Sequence, residues 1–236
     1  MGEVAILMAA GLGSRMKPLT DTVAKPLVRV NGVPLIETMI AALEKRGVSD
    51  IYVVTGYRAE QFDALAAAHG NVSLVHNAEY ATKNNLNSIA VAADRMGEAD
   101  CFVCEADLFV PSPDVLCRNL VQSGYFGKMV AGHSDDWVFD TDAKGRITRI
   151  GKGGDDCFNM VGISYFRQPD AARIAAAVRE AAKDPGNAQL FWDEVVDRLV
   201  KDGELDLAVH EVAPGEIVEC DTVEDLRRLE RKLELR

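Results

Sequence analysis

Through the first half of the chain, short apolar runs alternate with longer stretches whose apolar residues recur at helical spacing. Val4–Met8 has the length and uniform hydrophobicity of a buried strand, and Pro34–Arg46 reads as an amphipathic helix. Ile51–Val54 predicts a second strand and Ala59–Ala68 a second helix. Ser73–His76 and Cys101–Glu105 predict further strands, with a helix over Leu86–Met96 between them. Strands that are apolar throughout, joined by helices of crossover length, predict a parallel sheet covered on both faces.

The rhythm changes after Gly127. Met129–Gly132, Trp137–Phe139, Ile147–Ile150 and Met160–Phe166 are short strand candidates, separated by the turn-like stretches AKGR and GKGGDD. Helices are predicted over Asp170–Ala182, which Pro169 helps to start, and Gln189–Lys201. Leu207–Val212 and Ile217–Cys220 read as strands, and Val223–Leu235 as a charged closing helix. The second half has an α+β texture, but no repeat or low-complexity linker separates it from the first. The economical expectation is one α/β domain over 1–236 that carries a small hairpin region.

Composition narrows the class. Hydrophobic content of 48% and charged content of 27% are ordinary for a soluble globular enzyme. A formal charge of −11 argues against nucleic acid and anionic membranes as partners, because both need a positive footprint. No apolar run is long enough to span a bilayer, and Val4–Ala10 lacks the basic flank of a signal peptide, so a cytoplasmic location is expected. The five cysteines are odd in number and show no disulfide spacing. Cys101 and Cys104 form a CxxC, but in a strand they point to opposite faces, and no second pair or histidine cluster accompanies them. Buried free thiols are the expectation.

Between the first strand and the first helix lies MAAGLGSRMKPLTDTVAKP, Met8 to Pro26. A glycine-rich loop after a strand usually cradles phosphate, and two familiar versions fail here. Nothing matches GxxxxGK[ST]. A dinucleotide fingerprint would need Gly or Ala where Met16 stands, and that bulk would obstruct close helix–strand packing.

What fits is the full spacing Ala9-Ala10-Gly11-Leu12-Gly13-Ser14-Arg15, then Pro18, Thr20 and Lys25-Pro26. This stretch resembles the signature of the nucleotidyltransferases that join an NTP to a phosphorylated metabolite. The resemblance implies a Rossmann-like nucleotide-diphospho-sugar transferase fold, a mixed, mostly parallel sheet with helices on both faces. It also implies a nucleotide-binding half over about 1–126 and an acceptor and metal half over 127–236. Elementary chemistry agrees. Bare amides at Leu12–Arg15 can approach triphosphate oxygens. The Arg15 guanidinium can hold departing pyrophosphate, and Lys25 can neutralise an incoming phosphate as a point charge.

Nucleotidyl transfer uses a divalent cation held by hard oxygen ligands. Glu105 and Asp107 end an apolar strand on one face, and Glu219 and Asp221 repeat that spacing far downstream. The resemblance assigns Asp107 and Asp221 as ligands of Mg2+. Glu105 stands where many relatives have Asp, and is expected to support the site. No nucleophilic side chain is required, since an acceptor phosphate oxygen can attack in line.

Tyr80–Ile89 (YATKNNLNSI), Phe191-Trp192-Asp193 and Glu219–Leu226 further resemble bacterial CTP:phosphocholine cytidylyltransferases, over essentially the whole chain. That likeness puts the base against the Met8–Gly11 backbone and the Asn84–Ser88 loop, with Asn85 and Ser88 as contacts. Asn84 or Asn85 could equally serve as a helix cap. A quaternary ammonium favours aromatic faces beside a carboxylate. The two tryptophans lie next to acids: Trp137 beside Asp136, and Trp192 beside Asp193. Trp192 could instead be plain core. A primary ammonium would lean on Asp136, Asp193 and Glu219.

The expected activity is Mg2+-dependent transfer of CMP from CTP to phosphocholine. Aminoethylphosphonate and phosphoethanolamine follow closely as acceptors, and a sugar 1-phosphate is the rival within this chemistry. A catalytically inactive regulatory relative is the rival outside it. The expected partners are small molecules, and the oligomeric state is left open, a homodimer included.

Overall fold

A computed structural model describes residues 2–235. The strands in chain order are β1 (Glu3–Ala9), β2 (Arg29–Val30), β3 (Val33–Pro34), β4 (Asp50–Thr55), β5 (Val72–His76), β6 (Asp100–Glu105) and β7 (Leu108–Phe109). They continue with β8 (Gly124–Thr141), β9 (Ile147–Phe166), β10 (Ala208–Glu211) and β11 (Val218–Glu219). The helices are α1 (Leu35–Arg46), α2 (Asp63–Ala68), α3 (Asn85–Met96), α4 (Gln168–Ala181), α5 (Trp192–Lys201) and α6 (Val223–Glu234).

Seven strands form one sheet in the order β10-β8-β9-β6-β1-β4-β5. β1 pairs in parallel with both β4 and β6, and β4 with β5, as continuous apolar strands predict. β9 runs antiparallel to β6 and β8, so the sheet is mixed. Alternate residues of β1 feed opposite layers: Ala5, Leu7 and Ala9 pack with α1, while Val4 and Ile6 pack with α3 and α4. A third, smaller cluster joins Met16, Val28 and Leu35 to Leu226 and Leu229 of α6.

The sequence expectation is corrected after Gly127. Four short strands are in fact two long ones, and the stretch GKGGDD is not a turn but part of β9. Gly153 and Asp156 adopt positive φ (74° and 48°) within it, and the β8–β9 register shifts repeatedly. Such bulges break the alternation that marks a strand in sequence. The second helix is shorter than predicted, and α5 begins at Trp192 rather than Gln189.

Because β1 has β4 on one side and β6 on the other, the chain leaves it in opposite directions around its carboxyl end. Crevices at such switch points are where open α/β sheets take ligands. The loop Ala10–Pro26 and the carboxylates that end β6 meet there.

Candidate active site

Gly13 has φ 62°, and a Cβ there would come within 2.9 Å of Lys25 Cβ and Thr20 Cγ2, so only glycine lets the loop fold back on itself. Thr20 Oγ1 donates to Gly13 O at 2.8 Å. Ala9, Gly11, Leu12, Gly13, Ser14 and Arg15 line one side of a cleft of about 380 Å³, with Lys25, Asp107 and Asp221 facing them. Ala10 lines the adjoining cleft of about 260 Å³, together with Asn85, Ser88, Glu105 and Glu219.

Lys25 is buried, yet its Nζ lies 2.5 Å from both Asp107 Oδ2 and Asp221 Oδ1. Burial alone would lower its pKa, and the two carboxylates reverse that and raise it above the ordinary lysine value. Arg15 reaches the other oxygen of Asp221 at 2.6 Å, while most of its side chain remains in solvent. Burial pushes Glu105 well above the ordinary carboxylate range, with repulsion from Asp107, Glu219 and Asp193 adding to it. Glu219 rises to about 7, through burial and then Asp221 and Asp107. Four acids therefore share a floor with two cations, and the site accepts more positive charge than the chain supplies.

The residues present fit a divalent cation. Asp107 Oδ1 is buried and has no hydrogen-bond partner. Among the described residues no three His, Cys, Asp or Glu side chains converge on one metal position. Two carboxylates with substrate phosphates and water completing the shell is the usual arrangement for magnesium.

The Asn84–Ser88 loop is fixed from below. Asn84 Oδ1 caps α3 by accepting from Asn85 N at 2.8 Å, and Asn85 Oδ1 accepts from Trp192 N at 3.0 Å. The fully buried Asn77 donates to Ser88 Oγ at 3.1 Å and accepts from Asn87 Nδ2 at 2.7 Å. Asn77 was not singled out from the sequence, and Tyr80 and Lys83, within the segment Tyr80–Ile89, were given no role of their own although both stand on the cleft wall. A polar residue directly after a strand and a cation just ahead of a helix cap were the available signals.

The acceptor-side residues divide. Trp192 is 3% exposed, stacked on Tyr125 (5.8 Å between centroids) and set edge-on to Phe166, so it belongs to the core and borders only a small internal cavity. This burial matches the core alternative that the sequence left open for Trp192. Trp137 meets Phe191 edge-on at 5.3 Å, but Lys152 Nζ already lies 5.9 and 5.6 Å from those two rings. Asp136 accepts from Asn159 Nδ2 at 3.2 Å within the hairpin and faces none of the described cavities. Asp193 is buried and accepts from Tyr125 Oη at 3.2 Å; burial lifts its pKa to about 7. A cavity of about 10 Å³ lies between Glu105 and Asp193, walled by Met8, Tyr125, Met160 and Trp192. Cys101 and Cys104 are buried free thiols, and burial drives both upward.

Residues 5–137 match the MobA-like NTP transferase domain family. The chain is 50% identical to the 2-aminoethylphosphonate cytidylyltransferase of Lancefieldella rimae, over 94% of this chain and 89% of that protein. It is 35% identical to the choline-phosphate cytidylyltransferase of Streptococcus pneumoniae, over 97% of both. A solved structure of a CTP:phosphocholine cytidylyltransferase from Streptococcus pneumoniae superposes with a TM-score of 0.88 at 32% identity, covering 99% of this chain and 100% of that one. A glucose-1-phosphate thymidylyltransferase structure from Bacillus anthracis shares the fold at a TM-score of 0.78 and 17% identity, covering 98% of this chain and 95% of that one.

Proposed function

We propose an acceptor for this chain, which belongs to the MobA-like NTP transferase family and is a cytidylyltransferase within it: CTP and 2-aminoethylphosphonate react to give CMP-2-aminoethylphosphonate and pyrophosphate. The observation that carries this reading is the small cavity lined by Glu105 and Asp193, which shares Met8 and Glu105 with the cleft beside Asn85 and Ser88. About 10 Å³ holds a group the size of one water. A primary ammonium meets that size, and Glu105 and Asp193 offer it two carboxyl groups. A trimethylammonium needs far more room and free aromatic faces. Here Trp192 is core and the Trp137–Phe191 pair is already engaged by Lys152. This moves the weight from phosphocholine, which the sequence put first, to the primary amine. The relative at 50% identity supports the same choice.

In this reading the phosphonate oxygen, ionised at neutral pH, attacks the α-phosphorus of CTP. The new P–O bond forms as the bond to the β-phosphate oxygen breaks, and pyrophosphate leaves carrying the electron pair. No side chain need take a proton from the nucleophile. Arg15 and the amides of Gly11–Arg15 would hold the triphosphate and the departing pyrophosphate. Lys25 would orient and neutralise the phosphonate. Asp107 and Asp221 would hold Mg2+, which would supply charge neutralisation during the transfer. Asn85 and Ser88 would meet the base.

A pyrophosphate-release assay with CTP, UTP, dTTP and GTP against 2-aminoethylphosphonate, phosphocholine, phosphoethanolamine and glucose 1-phosphate tests the proposal. CTP with 2-aminoethylphosphonate is expected to give a kcat/KM at least about tenfold above every other pair. Preference for phosphocholine would return the aromatic pair to the acceptor site, and response to the sugar phosphate alone would overturn the amine reading.

A further inference from the structure

Lys25 reaches two carboxylates from a loop with little internal support. Between Arg15 and Lys25 the chain forms only three-residue helical turns, Ser14–Met16 and Leu19–Asp21, before the next one at Lys25–Leu27. Their internal bonds, such as Asp21 N to Pro18 O at 3.1 Å and Val23 N to Leu19 O at 3.2 Å, each span one turn. Beyond the bond from Thr20 Oγ1 to Gly13 O, what fixes the stretch comes from outside it. Tyr57 Oη donates to Thr20 O at 2.8 Å, and Arg58 donates to Asp21 O. Gln61 Nε2 donates to Thr22 O at 2.8 Å, and Gln61 Oε1 accepts from Ala24 N at 2.9 Å.

We infer that the segment Tyr57–Gln61, with Gln61 as its principal member, is a positioning bracket that sets where the Lys25 ammonium stands. The inference rests on the role given to Lys25 above. Gln61 uses both ends of its amide on the two peptides flanking Val23, so it holds that backbone much as a paired strand would. The last of these bonds is to the residue directly before Lys25. The bracket is itself anchored beside the nucleotide loop, since Tyr57 N donates to Ala10 O at 3.1 Å. Arg58 takes a positive φ of 53° and stacks on Tyr57, which turns the segment toward the loop. The triphosphate side and the acceptor side of the site are thus referenced to one rigid corner after β4.

Gln61 does not earn its place by filling the core. It borders an open cavity of about 560 Å³ together with Leu19, Thr22, Val23, Leu27 and Leu65. Truncating it removes two hydrogen bonds and opens no sealed void. A displacement of Lys25 would act on the acceptor, which Lys25 faces, more than on CTP, which the glycine amides and Arg15 hold.

Steady-state kinetics of Gln61→Ala and Gln61→Glu, varying CTP and the acceptor separately, test this alongside thermal unfolding and Lys25→Ala. The acceptor is 2-aminoethylphosphonate, or phosphocholine should that be the one turned over. For Gln61→Ala, kcat is expected to fall roughly tenfold or more and the acceptor KM to rise by a similar factor, while the KM for CTP stays within about twofold. Gln61→Glu keeps the acceptor for Ala24 N but loses the donor to Thr22 O, and should fall between wild type and Gln61→Ala. A purely structural role would lower the melting temperature and the active fraction but leave both KM values alone, and that result overturns the inference. So does wild-type kinetics in both Gln61 variants while Lys25→Ala is inactive, which leaves the Lys25 assignment standing. Full turnover by Lys25→Ala overturns the assignment and the bracket together.

Discussion

Lys25 and Asp193 show how burial assigns opposite fates to charge within one cleft. Lys25 keeps its proton because two carboxylates outweigh the desolvation that would remove it. Asp193 accepts from the Tyr125 hydroxyl but has no cation paired with it among the described residues, and burial lifts its pKa to about 7. The ordinary value is 3.8, so the folded protein holds the Asp193 proton more tightly than the unfolded chain does. Stability from this group is therefore full below 3.8 and declines as pH rises from there to about 7. Asp193→Asn should match wild-type stability near pH 4 and exceed it by about 1 kcal/mol or more near pH 8, in the absence of ligands. The same change should raise the KM for the aminophosphonate at least about tenfold, because the ammonium loses a carboxylate partner. Melting curves across pH and acceptor titrations check both halves; equal destabilisation at every pH would show that Asp193 is only a structural acceptor. Asp107→Ala and Lys25→Ala, in contrast, should each lower kcat by about a hundredfold or more with the fold retained by circular dichroism.

Element by element, what the sequence discloses follows from how local the signal is. β1, α1, β4, α3 and β6 were legible because their apolar patterns are uninterrupted, and the loop was legible because its glycines, Arg15 and Lys25 are fixed in spacing. β8 and β9 were not. Gly153 and Asp156, at positive φ, read as turns, whereas in the structure they lie within β9 among the β8–β9 register shifts. Gly162, inside an expected strand, hid a different relation: at φ 75° a Cβ would lie 2.6 Å from Glu105 Oε2. The glycine in β9 makes space for the carboxylate that ends β6, a relation between residues far apart in the chain. Trp192 was left between two readings for a related reason, since an aromatic beside an acid looks alike at a cage and in a core, and it is the packing on Tyr125 and Phe166 that puts its ring among the core residues. Gly162→Ala is expected to cost about 1–3 kcal/mol through backbone strain, and to weaken acceptor binding more than CTP binding by displacing Glu105. Denaturant melts with paired KM measurements read out the two effects. Unchanged kinetics at reduced stability would separate Gly162 from the site.

At the scale of the whole molecule, the distribution of charge matters more than its sum. The chain carries a net −11, and the cleft brings Glu105, Asp107, Glu219 and Asp221 together on its floor. Glu105 and Glu219 bear the consequence, each pushed upward by burial and by Asp107 or Asp221. A divalent cation between Asp107 and Asp221 would relieve that repulsion and give Asp107 Oδ1 the partner it lacks. Binding to the folded state alone stabilises it by RT ln(1 + [L]/Kd), about 2.7 kcal/mol at a hundredfold excess over Kd, which is several degrees in melting temperature for a chain of this size. Mg2+ should therefore raise the melting temperature of the ligand-free protein saturably, and EDTA should reverse the shift. Asp221→Asn should abolish it while folding normally, because the variant retains the Lys25 contact through a neutral oxygen but offers the cation one charge fewer. EDTA should also stop turnover, and Mn2+ should restore it, as expected for hard oxygen ligands with no nitrogen or sulfur donor. A melting temperature indifferent to Mg2+ in wild type, with turnover unaffected by chelation, would mean that Lys25 and Arg15 alone neutralise the reacting phosphates.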